Sequence, residues 1–128
     1  MRRAFLDSQV AFWLAIGDKR LAPQVLRAIN SHSVTAISAL TLAELEMKAS
    51  LGRLALPTNL ASVFENVGLV IEPFDALASQ QLRRFPQLNR HDPFDRMIFA
   101  QAASKVGVTF FTADQALLEL GLDWVVGV

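Results

Sequence analysis

The stretch HDPFDRMIFAQAASKVGVTFFTAD, residues 91–114, contains a complete helix-to-strand unit. Asp92 is a good helix N-cap and Pro93 suits the first helical position, so the pattern predicts a helix over about 93–105. The run VTFFT, 108–112, is β-branched and aromatic and predicts a buried strand. One helix followed by one buried strand is half of the repeating unit of an α/β fold.

Asp92 and Asp95 have two interpretations. Asp92 can cap the helix, and Asp95 then lies in the first turn, where a negative charge interacts favourably with the helix dipole. The same two carboxylates could also hold a metal ion. The local sequence leaves both interpretations open, so the positions of the other acids must decide between them.

The rest of the chain continues the alternation of strands and helices. Short apolar runs predict further strands at 4–6, 34–38, 69–74 and 124–128. Spacing and caps predict helices at 10–16, 20–30, 41–53, 59–67, 76–85 and 114–120, with Ser8 and Asp75 as caps. The pattern predicts a single α/β domain over residues 1–128, with a parallel sheet covered by helices on both faces.

Composition excludes several kinds of site. The chain has no cysteine and two histidines among 128 residues, so thiol nucleophiles, Cys zinc sites and His-rich metal sites are excluded. Any bound metal would be held mostly by oxygen, as Mg²⁺ or Mn²⁺ is. Basic and acidic residues balance at 12 each, which gives no support for a free basic nucleic-acid binder. The longest apolar run, VAFWLAI, is too short to span a bilayer, so a cytoplasmic protein is expected.

Five acids are predicted to lie near one edge of the sheet. They follow strands or begin helices: Asp7, Glu44, Asp92, Asp95 and Asp114. The carboxyl ends of parallel strands share an edge, which is where ligands bind in such folds. Each acid alone could be a cap or a solvated residue, but clustered carboxylates repel one another and are best tolerated beside a cation. The pattern therefore predicts an Mg²⁺ or Mn²⁺ site, whose most common chemistry is phosphodiester hydrolysis.

Four motifs make the chain resemble PIN domains, specifically the VapC-type toxins of bacterial toxin–antitoxin pairs. They are FLDSQVAFWL (5–14), ISALTLAELEMKASLGRLALP (37–57), HDPFDRMIFAQA (91–102) and FFTADQAL (110–117). The resemblance implies a three-layer α/β/α sandwich with a central, mostly parallel sheet. It also implies a metal-dependent endoribonuclease with a small antitoxin as partner, commonly as a homodimer. The acidic quartet of the family falls on Asp7, Glu44, Asp95 and Asp114.

The resemblance assigns a role to each site residue. Asp7 and Asp95 would ligate the metal, and Glu44 and Asp114 would do so directly or through water. Ser8 and Thr112 would support the acids by hydrogen bonds, while Asp92 would mainly cap its helix and could act in the outer coordination shell. Two positions depart from the family pattern: Ser8 stands where Thr is more usual, and Gln9 where Asn, Ser or His is frequent.

Two further questions stay open in the sequence. Several basic residues lie close to the acids in the sequence: Arg83, Arg84, Arg90 and Arg96, with His91 among them. They either contact RNA phosphates or form an ordinary solvated face. The acidic cleft could also belong to a non-catalytic module that receives a basic peptide. A receiver domain or a haloacid-dehalogenase-like phosphatase is disfavoured, because a single acid follows the first strand.

Overall fold

The computed structural model describes residues 2–128 as an alternation of strands and helices. The strands are β1 Arg3–Leu6, β2 Val34–Ser38, β3 Val70–Glu72, β4 Val108–Thr112 and β5 Val125–Gly127. The helices are α1 Ser8–Ile16, α2 Pro23–Asn30, α3 Ala39–Ser50, α4 Leu60–Asn66, α5 Ala76–Gln80, α6 Pro93–Ala103 and α7 Gln115–Leu118. Every strand pairing is parallel, and the order across the sheet is β3-β2-β1-β4-β5. The predicted α/β class is confirmed.

The strand order reverses between β1 and β4. From β1 the chain moves outward through β2 to β3, and then returns to the other side of β1 for β4 and β5. Leu6 of β1 is in register with Phe111 of β4, so these two strands end side by side. Their connections leave in opposite directions, which opens a crevice beyond their carboxyl ends.

Each face of the sheet is covered by its own core, because side chains alternate along the strands. Ala4, Leu6 and Phe111 pack against one core with residues of α1, α2 and α4. Phe5 and Phe110 point to the opposite face and pack against α6 and α7. The two cores confirm the predicted three-layer α/β/α arrangement. No helix within residues 2–128 is long and apolar enough to cross a membrane.

Helix boundaries differ from the predicted ones where capping was misjudged. Ser8 was predicted to cap the first helix, but Asp7 is the N-cap and Ser8 is already helical. Asp7 takes this role because its backbone is extended at the end of β1 and its carboxylate reaches the Val10 N–H. The helix predicted at 41–53 begins at Ala39, since Ser38 accepts the Leu40 N–H.

The segment predicted as one helix at 76–85 is an α-helix only to Gln80. It continues as tighter 3₁₀ turns over Gln81–Arg84 and Pro86–Leu88. Pro86 disfavours helical geometry in the residue before it, which explains why Phe85 interrupts the two 3₁₀ turns. The caps predicted at Asp75 and Asp92 are both confirmed, by bonds from Ala78 N–H and Phe94 N–H respectively.

We expect Phe99→Ala to destabilise the protein by about 3–5 kcal/mol. Phe99 is fully buried on α6, with its ring centroid 4.8 Å from Phe85, 5.6 Å from Phe110 and 5.2 Å from Trp124. Removing it leaves a cavity that three other aromatic rings cannot close. Urea unfolding measures the loss, and Val106→Ala, at a 96% exposed position, is the matched control. Equal midpoints for the two variants would contradict this packing.

Candidate metal centre

Asp7 directly follows β1 and lies in the crevice beyond the carboxyl ends of β1 and β4. Its Oδ1 accepts the Val10 N–H at 2.9 Å, and its Oδ2 accepts a short hydrogen bond from the Thr112 hydroxyl. Burial raises the pKa of Asp7 to about 6, although both hydrogen bonds oppose the shift. The local fold therefore fixes the orientation of this carboxylate while leaving its negative charge poorly solvated.

Thr112 joins two of the acids. Besides donating to Asp7, its Oγ1 accepts the Asp114 N–H at 2.9 Å, which places the Asp114 turn directly above the end of β4. This matches the support predicted for Thr112. Ser8 differs from its prediction, because its hydroxyl pairs with Thr41 Oγ1 at 3.0 Å rather than with an acid. The Ser8 side chain therefore links α1 to α3 and is not seen to support an acid.

Glu44 projects into the crevice from α3 with one oxygen left over. Its Oε2 lies 3.2 Å from Lys48 Nζ, one helical turn further along. Its Oε1 is buried and has no hydrogen-bond partner among residues 2–128. A buried acceptor without a partner is costly and rare in folded proteins, so this oxygen calls for a donor or a cation.

The surroundings of Asp95 disfavour its ionised form. Burial raises its pKa to about 7, and repulsion from Glu44, Asp92, Asp114 and Asp7 adds to the rise, in that order. The four other acids are thus close enough to act on it electrostatically. Asp92 caps α6 by accepting the Phe94 N–H at 3.0 Å and the Asp95 N–H at 3.2 Å. The capping interpretation therefore holds for Asp92, while metal binding by Asp95 stays a prediction.

His91 was predicted to belong to the basic rim, but its side chain lies among the clustered acids. Its Nε2 lies 2.6 Å from Asp114 Oδ2 and 3.7 Å from Asp95 Oδ2. The four-residue spacing of His91 and Asp95 was visible in the sequence and could have suggested the second contact. The contact with Asp114 joins residues 23 positions apart and carries no local signal.

The acids share a cleft of about 470 Å³. Asp7, Glu44, Asp95 and Asp114 all line it, as predicted from the topology. The other residues that line the cleft are apolar, basic or polar: Phe12, Trp13, Leu45, Leu54, Ala113, Lys48, Arg53, Ser8 and Gln9. Sequence reasoning missed Lys48 and Arg53, although Lys48 stands four residues after Glu44 and could have been recognised as its helical neighbour.

The predicted arginine rim does not line this cleft. Arg84 stacks over the Phe85 ring and donates to Gln81, and Arg96 makes long hydrogen bonds to Asn89. Arg83 and Arg90 are exposed. A role of these four arginines in binding RNA stays a prediction.

The donor set fits a hard divalent cation. Two overlapping groups each bring three ligand atoms within 4.8 Å of one another: His91, Asp95 and Asp114 in one, and Glu44, Asp92 and Asp95 in the other. The buried Glu44 Oε1 has no hydrogen-bond partner among residues 2–128, and a cation would offset the burial and repulsion that raise the pKa of Asp95. Carboxylate oxygens are the ligands that Mg²⁺ and Mn²⁺ prefer, so the residues present suit such an ion.

Comparison with known proteins identifies the family of the chain. A family model for the PIN domain matches residues 4–121, and the chain belongs to the PIN-domain family. The matched region contains all the acids of the cleft. No curated protein matches the sequence significantly.

Solved structures with the same fold include toxin–antitoxin complexes. DNA-bound VapBC from Salmonella typhimurium is 20% identical, with a TM-score of 0.70 over 99% of this chain and 98% of that chain. VapBC2 from Rickettsia felis, bound to a promoter DNA fragment, is 15% identical, with a TM-score of 0.68 over 98% and 97%. A toxin–antitoxin complex from Klebsiella pneumoniae is 16% identical, with a TM-score of 0.64 over 96% and 95%.

Proposed function

We propose that this PIN domain is a divalent-metal-dependent endoribonuclease that acts in the cytoplasm as the toxin of a toxin–antitoxin pair. The observation that carries the proposal is the convergence of acids from separate elements on one cleft, with a buried Glu44 oxygen that has no partner among the described residues. A domain that only needed helix caps would have no reason to hold these charges together. Membership of the PIN family supports the same reading.

Asp7 and Asp95 would hold the ion, with Glu44 and Asp114 ligating directly or through water. When bound, Mg²⁺ or Mn²⁺ supplies a more acidic water and positive charge beside the phosphoryl oxygens. The chain's own part is to preorganise the acids. Asp7 is fixed by the Val10 N–H and Thr112, so little reorganisation is needed when substrate binds.

Lys48 and Arg53 are placed to contact the phosphates of RNA. Both line the same cleft as the acids, and Lys48, which is exposed, pairs with Glu44. A backbone phosphate beside the ion would lie within reach of these two cations, which position the strand without reading its sequence. The cleft thus combines a site for the scissile phosphate with neighbouring positive charge.

We expect Lys48→Met to raise KM for RNA about fivefold, or about 1 kcal/mol, with kcat nearly unchanged. The substitution keeps the length of the side chain and removes the phosphate contact. Steady-state cleavage at saturating Mn²⁺ measures the effect, with exposed Lys19→Met as the control. Arg90→Gln in the same assay tests the predicted arginine rim. An unchanged KM in Lys48→Met would show that Lys48 does not contact the RNA phosphates.

The proposed partner is a small antitoxin that covers the cleft. The three solved structures described above are toxin–antitoxin complexes with the same fold. In this chain, large apolar side chains are exposed on or beside the helices α1 and α3: Ile16, Met47 and Leu51. Apolar groups exposed at such positions are typical of an interaction surface. Pairing of two copies as a homodimer is proposed from the family resemblance.

The function is tested by incubating the partner-free protein with a mixed RNA pool and with single-stranded DNA in Mg²⁺, Mn²⁺ or EDTA. We expect internal RNA cleavage in the metal ions and none in EDTA, with DNA cut far more slowly. Intact RNA in both ions, together with tight binding of a basic peptide by the cleft, would support the alternative of a non-catalytic binding module.

A further inference from the structure

His91 is held beside the cluster by the backbone as well as by its side chain. Its N–H donates to the Leu88 carbonyl at 2.9 Å, which closes the turn before α6. Its side chain is 24% exposed and points at two acids rather than at solvent. A histidine that only covered the helix start would not need to place its ring nitrogen between the carboxylates of Asp95 and Asp114.

The orientation of Asp114 leaves one oxygen for this histidine. Asp114 Oδ1 accepts the Ala116 N–H at 2.9 Å and is used in capping α7. Oδ2 faces His91 Nε2, and Asp95 Oδ2 lies 3.7 Å from the same nitrogen. Ligand atoms bound to one cation at about 2.1 Å lie roughly 3 Å apart, so small side-chain movements suffice for all three to share an ion.

We propose that His91 Nε2 is a direct ligand of the ion in this cleft, together with Asp95 and Asp114, and that this nitrogen makes the site prefer Mn²⁺ over Mg²⁺. The inference rests on the metal site of the proposed function and adds a residue outside the acidic quartet. Mg²⁺ takes oxygen ligands almost exclusively, whereas imidazole is a good ligand for first-row transition metals. Ligation uses the neutral ring with its proton on Nδ1, so the hydrogen bond to Asp114 is exchanged for coordination.

The second group of ligand atoms would allow either ion to bind. Glu44, Asp92 and Asp95 offer oxygen only, and they share Asp95 with the histidine-containing group. An all-oxygen set suits Mg²⁺ and lacks the nitrogen that would discriminate against it. Loss of His91 should therefore weaken Mn²⁺ binding much more than Mg²⁺ binding.

Pulsed electron paramagnetic resonance of the Mn²⁺-loaded protein tests the proposal without reference to activity. We expect ¹⁴N modulation from a directly bound imidazole in wild type, replaced by ¹⁵N coupling when the histidines are ¹⁵N-labelled. The signal should be lost in His91→Gln and kept in His32→Gln. His32 is the matched control, because it is the other histidine of the chain and its ring bonds to Thr109 and the Ala28 carbonyl.

Calorimetry gives the second readout. We expect His91→Gln to weaken Mn²⁺ binding at least about tenfold and to leave Mg²⁺ binding within about threefold. Bound Mn²⁺ with no nitrogen coupling in labelled wild type would overturn the inference, and would reduce His91 to a hydrogen-bond partner of Asp114. That outcome leaves the proposed nuclease intact if RNA is still cut. Nitrogen coupling without RNA cleavage would instead uphold this inference and refute the nuclease.

Discussion

Asp95→Asn is expected to reduce metal-dependent RNA cleavage at least about 1000-fold. Losing a residue that merely supports a metal ligand already costs about 10–100-fold, and Asp95 is itself shared by both groups of ligand atoms. Asn keeps the size of the side chain and can still begin α6, because the cap is supplied by Asp92. The loss would therefore report on chemistry and not on folding.

Two controls define this result. Glu46→Gln removes an exposed acid from α3, the helix that carries Glu44, and should leave cleavage unchanged. Asp7→Asn should match the loss in Asp95→Asn, since Asp7 is the fixed carboxylate at the base of the cleft. Circular dichroism confirms matched folding. Cleavage by Asp95→Asn within about tenfold of wild type would remove Asp95 from the mechanism.

The same substitution should stabilise the metal-free protein at pH 8. The pKa of Asp95 is raised to about 7 from 3.8, so ionising it in the folded state costs free energy that the unfolded chain does not lose. Wild type therefore loses stability as the pH rises from about 4 to about 7. After allowance for solvent screening of this partly exposed group, we expect Asp95→Asn to gain about 1–2 kcal/mol at pH 8 in EDTA. The gain outweighs the helix-dipole interaction that Asn gives up.

The gain should shrink at pH 5, where folded wild type is already protonated at Asp95. Saturating Mn²⁺ should reverse the order, because an ion at 100 times its Kd stabilises wild type by about 2.7 kcal/mol and binds the variant poorly. Thermal unfolding in EDTA and in Mn²⁺ measures both effects as shifts of several degrees. Asp123→Asn, at an exposed site, is the control. If Asp95→Asn were less stable than wild type at pH 8 in EDTA, burial and the neighbouring acids would not destabilise ionised Asp95 as described.

Much of the fold was accessible from local patterns. The strands at 34–38 and 108–112 were predicted with the bounds observed, because continuous β-branched and aromatic runs leave few alternatives. The acids near the sheet edge followed from topology alone, since parallel strands end together. The cap of α1 could not be predicted in this way, because Asp and Ser are both good N-cap residues. Whether Asp7 or Ser8 caps the helix depends on which side-chain oxygen reaches a free N–H.

The parts of the site that escaped prediction depend on contacts between distant residues. His91 looked like part of a basic rim until β4 and α7 placed Asp114 beside it. Arg53 follows the end of α3, and its position on the cleft depends on how that helix crosses the sheet. Neither the periodicity of a helix nor the identity of a single residue carries that information.

Anomalous diffraction from crystals grown in MnCl₂ would show whether the cleft binds the metal ion. We expect a strong manganese peak in the cleft, within roughly 2–2.5 Å of a carboxylate oxygen of Asp95. The same peak should be absent from crystals of Asp95→Asn. A cleft without manganese, in crystals that carry the ion elsewhere on the surface, would rule out the metal site and leave the acids as caps or as a binding surface for a basic partner.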